Sequence, residues 1–165
     1  MKTKMKIFIT LVFYLFYWMI CYINTGTDKK NLMGLRSYPD EVQQIVLNHL
    51  PEQQKPKKKS IPSILLANLI LFTVVFSILG FSLKEILGLN DFKTAFLFFL
   101  IFGEGLGLFD FVIIDLLWWR NTPRIRFSFL PQKQYYQDAS KHIASFLRGL
   151  GMFLFVALFS AWICT

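Results

Sequence analysis

The sequence predicts an all-α, polytopic membrane protein with four transmembrane helices. Of its 165 residues, 55% are apolar and 19 are phenylalanine, which is more apolar surface than a soluble domain of this size buries. Most of these residues fall in four runs, each close to the length of about 20 residues that a helix needs to cross roughly 30 Å of hydrocarbon. The predicted spans are residues 7–23, 61–83, 94–119 and 143–164. We expect them to form a single membrane domain over residues 1–165.

The first span, 7–23, allows a second interpretation. The chain begins MKTKMK, and lysines ahead of an apolar stretch are also typical of a secretory signal peptide. Residues 20–24 lack the small-x-small pattern of a cleavage site, and no small residue precedes Cys21, as a lipoprotein site requires. An uncleaved helix is therefore favoured, with a helix that only dips into the membrane and a cleaved leader as the alternatives.

The first loop, 24–60, is the longest, and we expect a short amphipathic helix in it over about 39–50. Ser37 is the predicted N-cap, because its hydroxyl can accept a hydrogen bond from the first turn, and Pro51 ends the helix. One face of this helix is largely apolar. That face carries Val42, Ile45, Val46, His49 and Leu50. We expect the helix to lie on the membrane or on the other helices.

The second loop, 84–93, is short, so the second and third spans should form an antiparallel hairpin. The third loop, 120–142, is basic. Within it Arg124, Arg126 and Ser128 alternate with apolar residues, and a period of two predicts an extended segment with one apolar side. Aromatic residues at the two ends of this loop suit a belt at the membrane–water interface. They are Trp118, Trp119, Tyr135 and Tyr136.

The formal net charge is +8, and most cations lie in loops beside the apolar runs. This arrangement favours anionic lipid head groups over nucleic acid as the partner. Twelve cations fall in the first and third loops: Lys29, Lys30, Arg36, Lys55, Lys57, Lys58, Lys59, Arg120, Arg124, Arg126, Lys133 and Lys141. Five fall on the opposite side: Lys2, Lys4, Lys6, Lys84 and Lys93. The bias predicts a multi-pass plasma-membrane protein with both loops in the cytoplasm, although the N-terminal lysines prefer that side too.

Two cysteines, Cys21 and Cys164, end the first and fourth spans. In a four-span chain these positions lie at opposite faces of the membrane, so we expect no disulfide between them. The sequence contains no motif for a redox dithiol, a haem, a nucleotide or a catalytic zinc. We therefore expect no cofactor.

Three carboxylates lie inside the third span: Glu104, Asp110 and Asp115. Ionisable groups within a span are costly, so they are expected to face protein or water. On a continuous α-helix Glu104 and Asp115 share a face about 16 Å apart, whereas Asp110 points away from it. This geometry disfavours a catalytic pair of carboxylates supplied by this helix alone.

Arg148 lies just inside the fourth span, at the depth expected for Asp115, and we predict an ion pair between these two residues. His142 is nearer the surface and within reach of the same cluster. The predicted intramembrane polar site is Glu104, Asp110, Asp115 and Arg148. These groups either hold helices together or form a substrate, proton or ion site. Ligand type alone would allow a metal at Asp110, Asp115 and His142, but no ligand spacing supports one, so no metal is predicted.

Gly103 and Gly107 give the third span a surface of small residues spaced four apart, which favours close helix packing. Gly149 and Gly151 are the predicted matching surface on the fourth span. The alternative is a locally loosened helix that exposes backbone carbonyls beside Glu104, as transporters use.

Two segments carry a resemblance. One is SYPDEVQ at 37–43, and the other is FDFVIIDLLWW at 109–119 with TPRIR at 122–126. Further matching positions are Pro131, Tyr136, Asp138, His142 and Gly149. Over residues 37–150 the pattern resembles a group of small, uncharacterised multi-span membrane proteins of Gram-positive bacteria. The resemblance implies no activity. It implies a bacterial cytoplasmic membrane, and one site near the third loop formed by Asp110, Asp115, Arg124, Arg126 and His142.

These observations favour a non-enzymatic component of a transport or envelope assembly, with a polar site between the third and fourth spans. Such a component would work with a membrane-protein partner and bind an anionic group through Arg120, Arg124 and Arg126. One alternative is a proton- or cation-coupled transporter or channel that uses Glu104 and Asp110. Another is a membrane-embedded enzyme acting on lipid, for which the acid–base groups would be Asp110, Asp115 and His142.

Overall fold

The computed structural model describes residues 2–56 and 60–165. This part of the chain holds six α-helices and no strand. They are α1 (Lys2–Ile23), α2 (Asp28–Met33), α3 (Asp40–His49), α4 (Ile61–Leu87), α5 (Phe92–Phe109) and α6 (Ser140–Cys164). A π-helix over Asp110–Trp119 continues α5. The predicted all-α fold is confirmed. Lys57, Lys58 and Lys59, which belong to the predicted basic run before the second span, lie outside the described residues.

Four helical segments of the described chain are long and apolar enough to cross a membrane, in agreement with the four predicted spans. They are Thr3–Ile23, Ile61–Leu87, Phe92–Trp119 and Lys133–Cys164. The second exceeds its predicted end at residue 83, where Leu83 leaves helical geometry (φ −121°, ψ 16°) without ending α4. Gly88 ends α4 with a left-handed φ of 65°, a conformation that a residue without a Cβ adopts at little cost.

The described chain divides into two compact units. The first, which we call the bundle unit, comprises residues 2–15, 60–108 and 147–165. The second, the loop unit, comprises residues 16–56 and 109–146. Each unit has its own buried core.

Phenylalanines form the core of the bundle unit. The Phe76 ring lies 5.0 Å from Phe102, 6.0 Å from Phe99 and 6.2 Å from Phe153, measured between ring centroids. Phe76 and Phe99 are fully buried. Each aromatic pair adds about 0.5–1.5 kcal/mol beyond the burial of its surface. This cluster accounts for several of the phenylalanines that the composition shows in excess.

The glycines of α5 make the close contact that the sequence predicts, but with a different partner. A Cβ placed on Gly103 would lie 2.9 Å from Phe153 Cδ1, and one on Gly107 would lie 3.4 Å from Phe153 Cε2. The predicted partner surface at Gly149 and Gly151 is wrong, because a Cβ at either would meet nothing within 4 Å. The glycines of α5 therefore pack against the Phe153 ring and not against a second surface of glycines.

The core of the loop unit is built from the first and third loops. It contains Leu35, Tyr38, Val42, Val46, Trp119, Ile125, Phe127, Leu130 and Tyr136. The predicted apolar face of α3 supplies Val42 and Val46, both fully buried. This face packs on the third loop, whereas the prediction placed it on the membrane or on the other helices. The predicted N-cap is wrong: Pro39 occupies that position, and Ser37 ends a short 3-10 helix.

The third loop is not the predicted extended segment. Pro123–Ile125 forms a 3-10 turn, and a tight turn follows in which Phe127 pairs with Leu130. The predicted difference between the two sides of this segment is still present, because Ile125 and Phe127 are buried while Ser128 is exposed. Two members of the predicted aromatic belt, Trp119 and Tyr136, are core residues of the loop unit.

Both cysteines are free. Cys164 is buried in the bundle unit, where its thiol donates to the Ser77 carbonyl across 3.6 Å. The Lys84 ammonium donates to the Cys164 carbonyl at 2.8 Å. A cation at this point satisfies one of the free carbonyls at the end of α6.

We expect Gly103→Ala to destabilise the bundle unit and Gly149→Ala to leave it unchanged or more stable. Both substitutions improve helix propensity by up to about 1 kcal/mol, but only the new methyl at 103 meets the Phe153 ring, and overpacking costs about 1–3 kcal/mol. Thermal unfolding of the two purified variants in detergent measures the difference. Equal shifts in melting temperature would contradict the packing described for Gly103.

Candidate functional site

A change of helix type brings Asp110 and Asp115 to one face of the third span. From Asp110 to Trp119 the helix is of the π type, in which each N–H bonds to the carbonyl five residues earlier. Residues five apart then lie on the same side of the helix. The predicted geometry, with Asp110 pointing away from Asp115, is therefore wrong, because the α-helical spacing on which it depends ends at Phe109. The two carboxylates are near enough to interact electrostatically.

The last turns of α1 lie close to Asp110. Tyr17 is within electrostatic range of Asp110 and Asp115, and Cys21 follows Tyr17 one turn further along α1. Cys21 itself lies within electrostatic range of Asp110 and Asp115. A tyrosine and a cysteine four residues apart on a helix lie on the same side. The last turns of α1 thus contribute a polar face to the site.

Asp115 is paired with a histidine from the start of α6. His142 Nδ1 lies 2.9 Å from Asp115 Oδ2, and the side chains are 4% and 17% exposed. The imidazole lies edge-on to the Trp119 ring with centroids 4.8 Å apart. Its other nitrogen, Nε2, is buried and has no hydrogen-bond partner among the residues that the structure describes. We call Tyr17, Cys21, Asp110, Asp115 and His142 the polar cluster.

Two predicted members of the site lie in the bundle unit. Arg148 is the predicted partner of Asp115, but the partner that the structure gives Asp115 is His142, and the Arg148 residue is exposed. Glu104 is half-buried, and its Oε2 atom has no hydrogen-bond partner within the described chain. The polar cluster therefore contains three of the five residues that the resemblance implies, Asp110, Asp115 and His142, whereas Arg124 and Arg126 bind main-chain carbonyls instead. It also contains Tyr17 and Cys21, which the sequence analysis does not single out.

Arg124 serves the end of α1. Its guanidinium donates to the carbonyls of Tyr22 (3.2 Å) and Thr25 (3.1 Å) and lies 3.8 Å from the centre of the Tyr22 ring. A cation at the C-terminus of a helix is favourable because it meets the free carbonyls of the last turn. Gly26 leaves the room for this contact: its φ is +102°, and a Cβ there would lie 2.7 Å from the guanidinium.

The other two arginines of the predicted anion site also bind main-chain carbonyls. Arg120 donates to the Gln137 carbonyl, and the Gln137 amide returns a 2.9 Å bond to the Arg120 carbonyl. Arg126 donates to the carbonyls of Pro131 and Asn121, at 3.3 and 3.4 Å. These contacts stabilise the third loop. Anion binding by the three arginines stays a prediction, and it would have to compete with these bonds.

Long-range hydrogen bonds tie the first loop to the third. The buried Tyr38 hydroxyl donates to the Ile125 carbonyl at 2.7 Å, and the Asp28 carboxylate accepts bonds from the backbone and the hydroxyl of Ser128. Burial raises the pKa of Tyr38 well above its usual range, so the hydroxyl remains a donor at any physiological pH. Asn31 adds a 3.0 Å bond to the Arg124 carbonyl.

An open groove of about 610 Å³ lies on the loop unit. Apolar residues of both loops line it, among them Leu32, Leu50 and Phe129, and so do the exposed Lys29 and the half-buried Asp28. The His49 ring stacks on Phe129 with centroids 4.0 Å apart. The apolar side chains of both loops can be read from the sequence. The groove cannot be predicted from them, because no local pattern shows that the two loops meet.

The polar cluster has no metal-ligand geometry. Among the described residues no three His, Cys, Asp or Glu side chains converge on a point where a metal ion would bind. Asp110, Asp115 and His142 do not line the groove of the loop unit, and they do not line a second groove in the bundle unit. The groups of the cluster are suited to hydrogen bonding and to the exchange of protons between neighbours.

The fold and the cluster define a class of protein: an all-α chain with four helices suited to a membrane, polar groups in three of them, and a loop unit with its own core. The chain matches no protein-family model, no curated protein and no solved structure. The resemblance to small multi-span proteins of Gram-positive bacteria accordingly stays a prediction.

We expect Asp115 and His142 to be energetically coupled. The free energies of unfolding of Asp115→Asn, His142→Gln and the double variant in detergent should give a coupling energy of about 1 kcal/mol or more, as for groups in direct contact. The control is the same cycle with His49→Gln, because His49 is exposed and stacks only on Phe129. That cycle should be additive within about 0.5 kcal/mol. Additivity in both cycles would show that the pair does not form.

Proposed function

We propose that this chain is a multi-pass plasma-membrane protein that acts as a non-enzymatic accessory component of a transport or envelope assembly. In this proposal the loop unit holds a segment of a membrane-protein partner. The single observation that supports it most is the shared core of the first and third loops. Connecting loops usually lack a core of their own, and compact loops of this kind are frequently functional.

The groove favours a peptide segment as the bound group. Its apolar walls and polar lining residues match the mixed surface that protein interfaces present. The first and third loops hold twelve of the 18 lysines and arginines, which favours an acidic partner segment through charge complementarity.

The same excess of positive charge supports a cytoplasmic location for both loops. Labelling of a Gln44→Cys variant by an impermeant maleimide only after permeabilisation would agree with that orientation.

We expect a photocrosslinking phenylalanine analogue at Leu50 to capture a membrane-protein partner in intact cells. The matched control is the same analogue at Gln44, which is exposed on α3 outside the groove. Lys29→Glu should reduce the Leu50 crosslink several-fold, because it reverses an exposed charge that lines the groove without touching the core. Capture of lipid alone, or equal protein yields at the two positions, would contradict the proposal.

A second candidate function, a proton relay, is supported by the polar cluster. Tyr17, Asp110, Asp115 and His142 are groups that exchange protons, and they are gathered within helices suited to a membrane. Intramembrane carboxylates and histidines in contact are typical of proton pathways. The unpartnered Nε2 of His142 leaves one hydrogen-bonding position for a further member of such a chain.

If the relay operates, Asp110→Asn should abolish proton flux into proteoliposomes, because an amide cannot carry the proton. Glu41→Gln, a change of the same kind at an exposed residue of α3, should leave the flux intact. A pH-sensitive dye trapped inside the vesicles measures it. If protons enter vesicles with the wild-type protein no faster than protein-free vesicles, this function is contradicted. The accessory proposal would not be affected by that result.

A further inference from the structure

A second groove, of about 540 Å³, runs between α1 and α5 in the bundle unit. From α1 it is lined by Lys6, Ile7, Thr10, Leu11 and Tyr14; from α5 by Thr94, Leu97, Phe98, Ile101, Phe102 and Gly105. Each set falls at helical spacing, so each forms one continuous stripe. Lys6 is near Phe98, and Tyr14 is near Phe102 and Gly105. The two stripes therefore run in the same direction.

The two ends of this groove differ chemically. At one end the Lys6 ammonium lies 5.6 Å from the centre of the Phe98 ring and makes no ion pair with any described carboxylate. At the other end the Tyr14 hydroxyl donates to the Phe102 carbonyl at 2.8 Å. Gly105 leaves room for that hydroxyl, because a Cβ there would collide with it. The groove is thus open and cationic at one end and closed at the other.

The dimensions match one leaflet of a bilayer. From Lys6 to Tyr14 the α1 stripe rises about 12 Å along the helix axis. The lysine side chain extends further toward the head groups, so the groove spans most of the roughly 15 Å of half the hydrocarbon core. Its walls are apolar and accessible, since Ile7 and Leu11 are each 57% exposed and Ile101 is 72% exposed. A lysine at the end of such a stripe lies at the depth of the head groups.

We infer that this groove binds one acyl chain of an anionic phospholipid whose phosphate is held by Lys6. The inference rests on the proposed membrane location of the chain, and it specifies one lipid beyond the general attraction of the basic loops. Charge complementarity selects the head group, and groove length selects a chain that reaches from the head-group layer to the middle of the bilayer. The closed end at Tyr14 fixes how deep the chain can reach.

The test is retention of lipid by the full-length protein. The protein is placed in nanodiscs with equal amounts of phosphatidylglycerol and phosphatidylcholine, released into the gas phase, and its bound lipids are counted by native mass spectrometry. We expect one phosphatidylglycerol to stay bound to the wild type. Lys6→Gln should lower the preference for phosphatidylglycerol about fivefold, the ratio that corresponds to about 1 kcal/mol for one lysine near an anionic surface. Lys4→Gln, a change at an exposed neighbour outside the groove, should not.

A second pair of variants tests the groove itself. Ile101→Trp places a large ring in the groove and should abolish retention, whereas Ile78→Trp, at a residue of α4 that is 61% exposed and outside the groove, should not. Loss of preference in both lysine variants alike, or retention in Ile101→Trp, would overturn the inference. A chain that enters nanodiscs but retains no lipid overturns this inference alone. A chain that never enters them overturns the membrane proposal as well.

Discussion

The replacement of α-helical by π-helical bonding at Asp110 is the constraint on which the polar cluster depends. Had α5 continued with its own spacing, Asp110 and Asp115 would face different directions, and one of them would lack a partner. With bonds between residues five apart, both carboxylates share a face, where Tyr17 lies near the first and His142 pairs with the second. The same π-helical spacing directs the Trp119 side chain into the core of the loop unit. One local change of helix geometry thus serves both the cluster and the core.

The two loops are held together mainly through main-chain groups. Tyr38 and Asn31 donate to the carbonyls of Ile125 and Arg124. The Arg124 side chain donates to one carbonyl in the last turn of α1 and to one just after it. Removing one partner of a buried bond costs about 1–3 kcal/mol, so each of these contacts restricts where the third loop can lie. Much of the positive charge that the sequence places in this loop is therefore structural. Lysines such as Lys29, which stay exposed, are better suited to meet a partner.

The spans and the sidedness of α3 can be predicted from sequence because both follow from hydrophobic periodicity, which is a local property. The close packing of Gly103 could be predicted as well, but its partner could not, since a glycine pattern does not show whether a ring or a second glycine faces it. The π-helix has no sequence signal in Asp110–Trp119 that distinguishes it from an α-helix. The pairing of Asp115 with His142 could not be predicted for the same reason, because on a regular α-helix Arg148 is expected at the depth of Asp115 and His142 nearer the surface. The core of the loop unit depends on contacts about 90 residues apart, such as Tyr38 with Ile125.

The polar cluster is only partly satisfied, and this bears on its role. A network that merely joins helices is cheapest when every donor and acceptor is paired, because an unpaired polar group in a medium of low dielectric constant costs more than an apolar side chain in its place. Here His142 Nε2 has no partner in the described chain and is buried, although its ring is fixed on both sides by Asp115 and Trp119. A ring held this firmly presents its second nitrogen at a fixed position, which the proposed proton relay would use. Adhesion between helices accounts for the Asp115 bond, and the proposed relay would in addition use the buried Nε2.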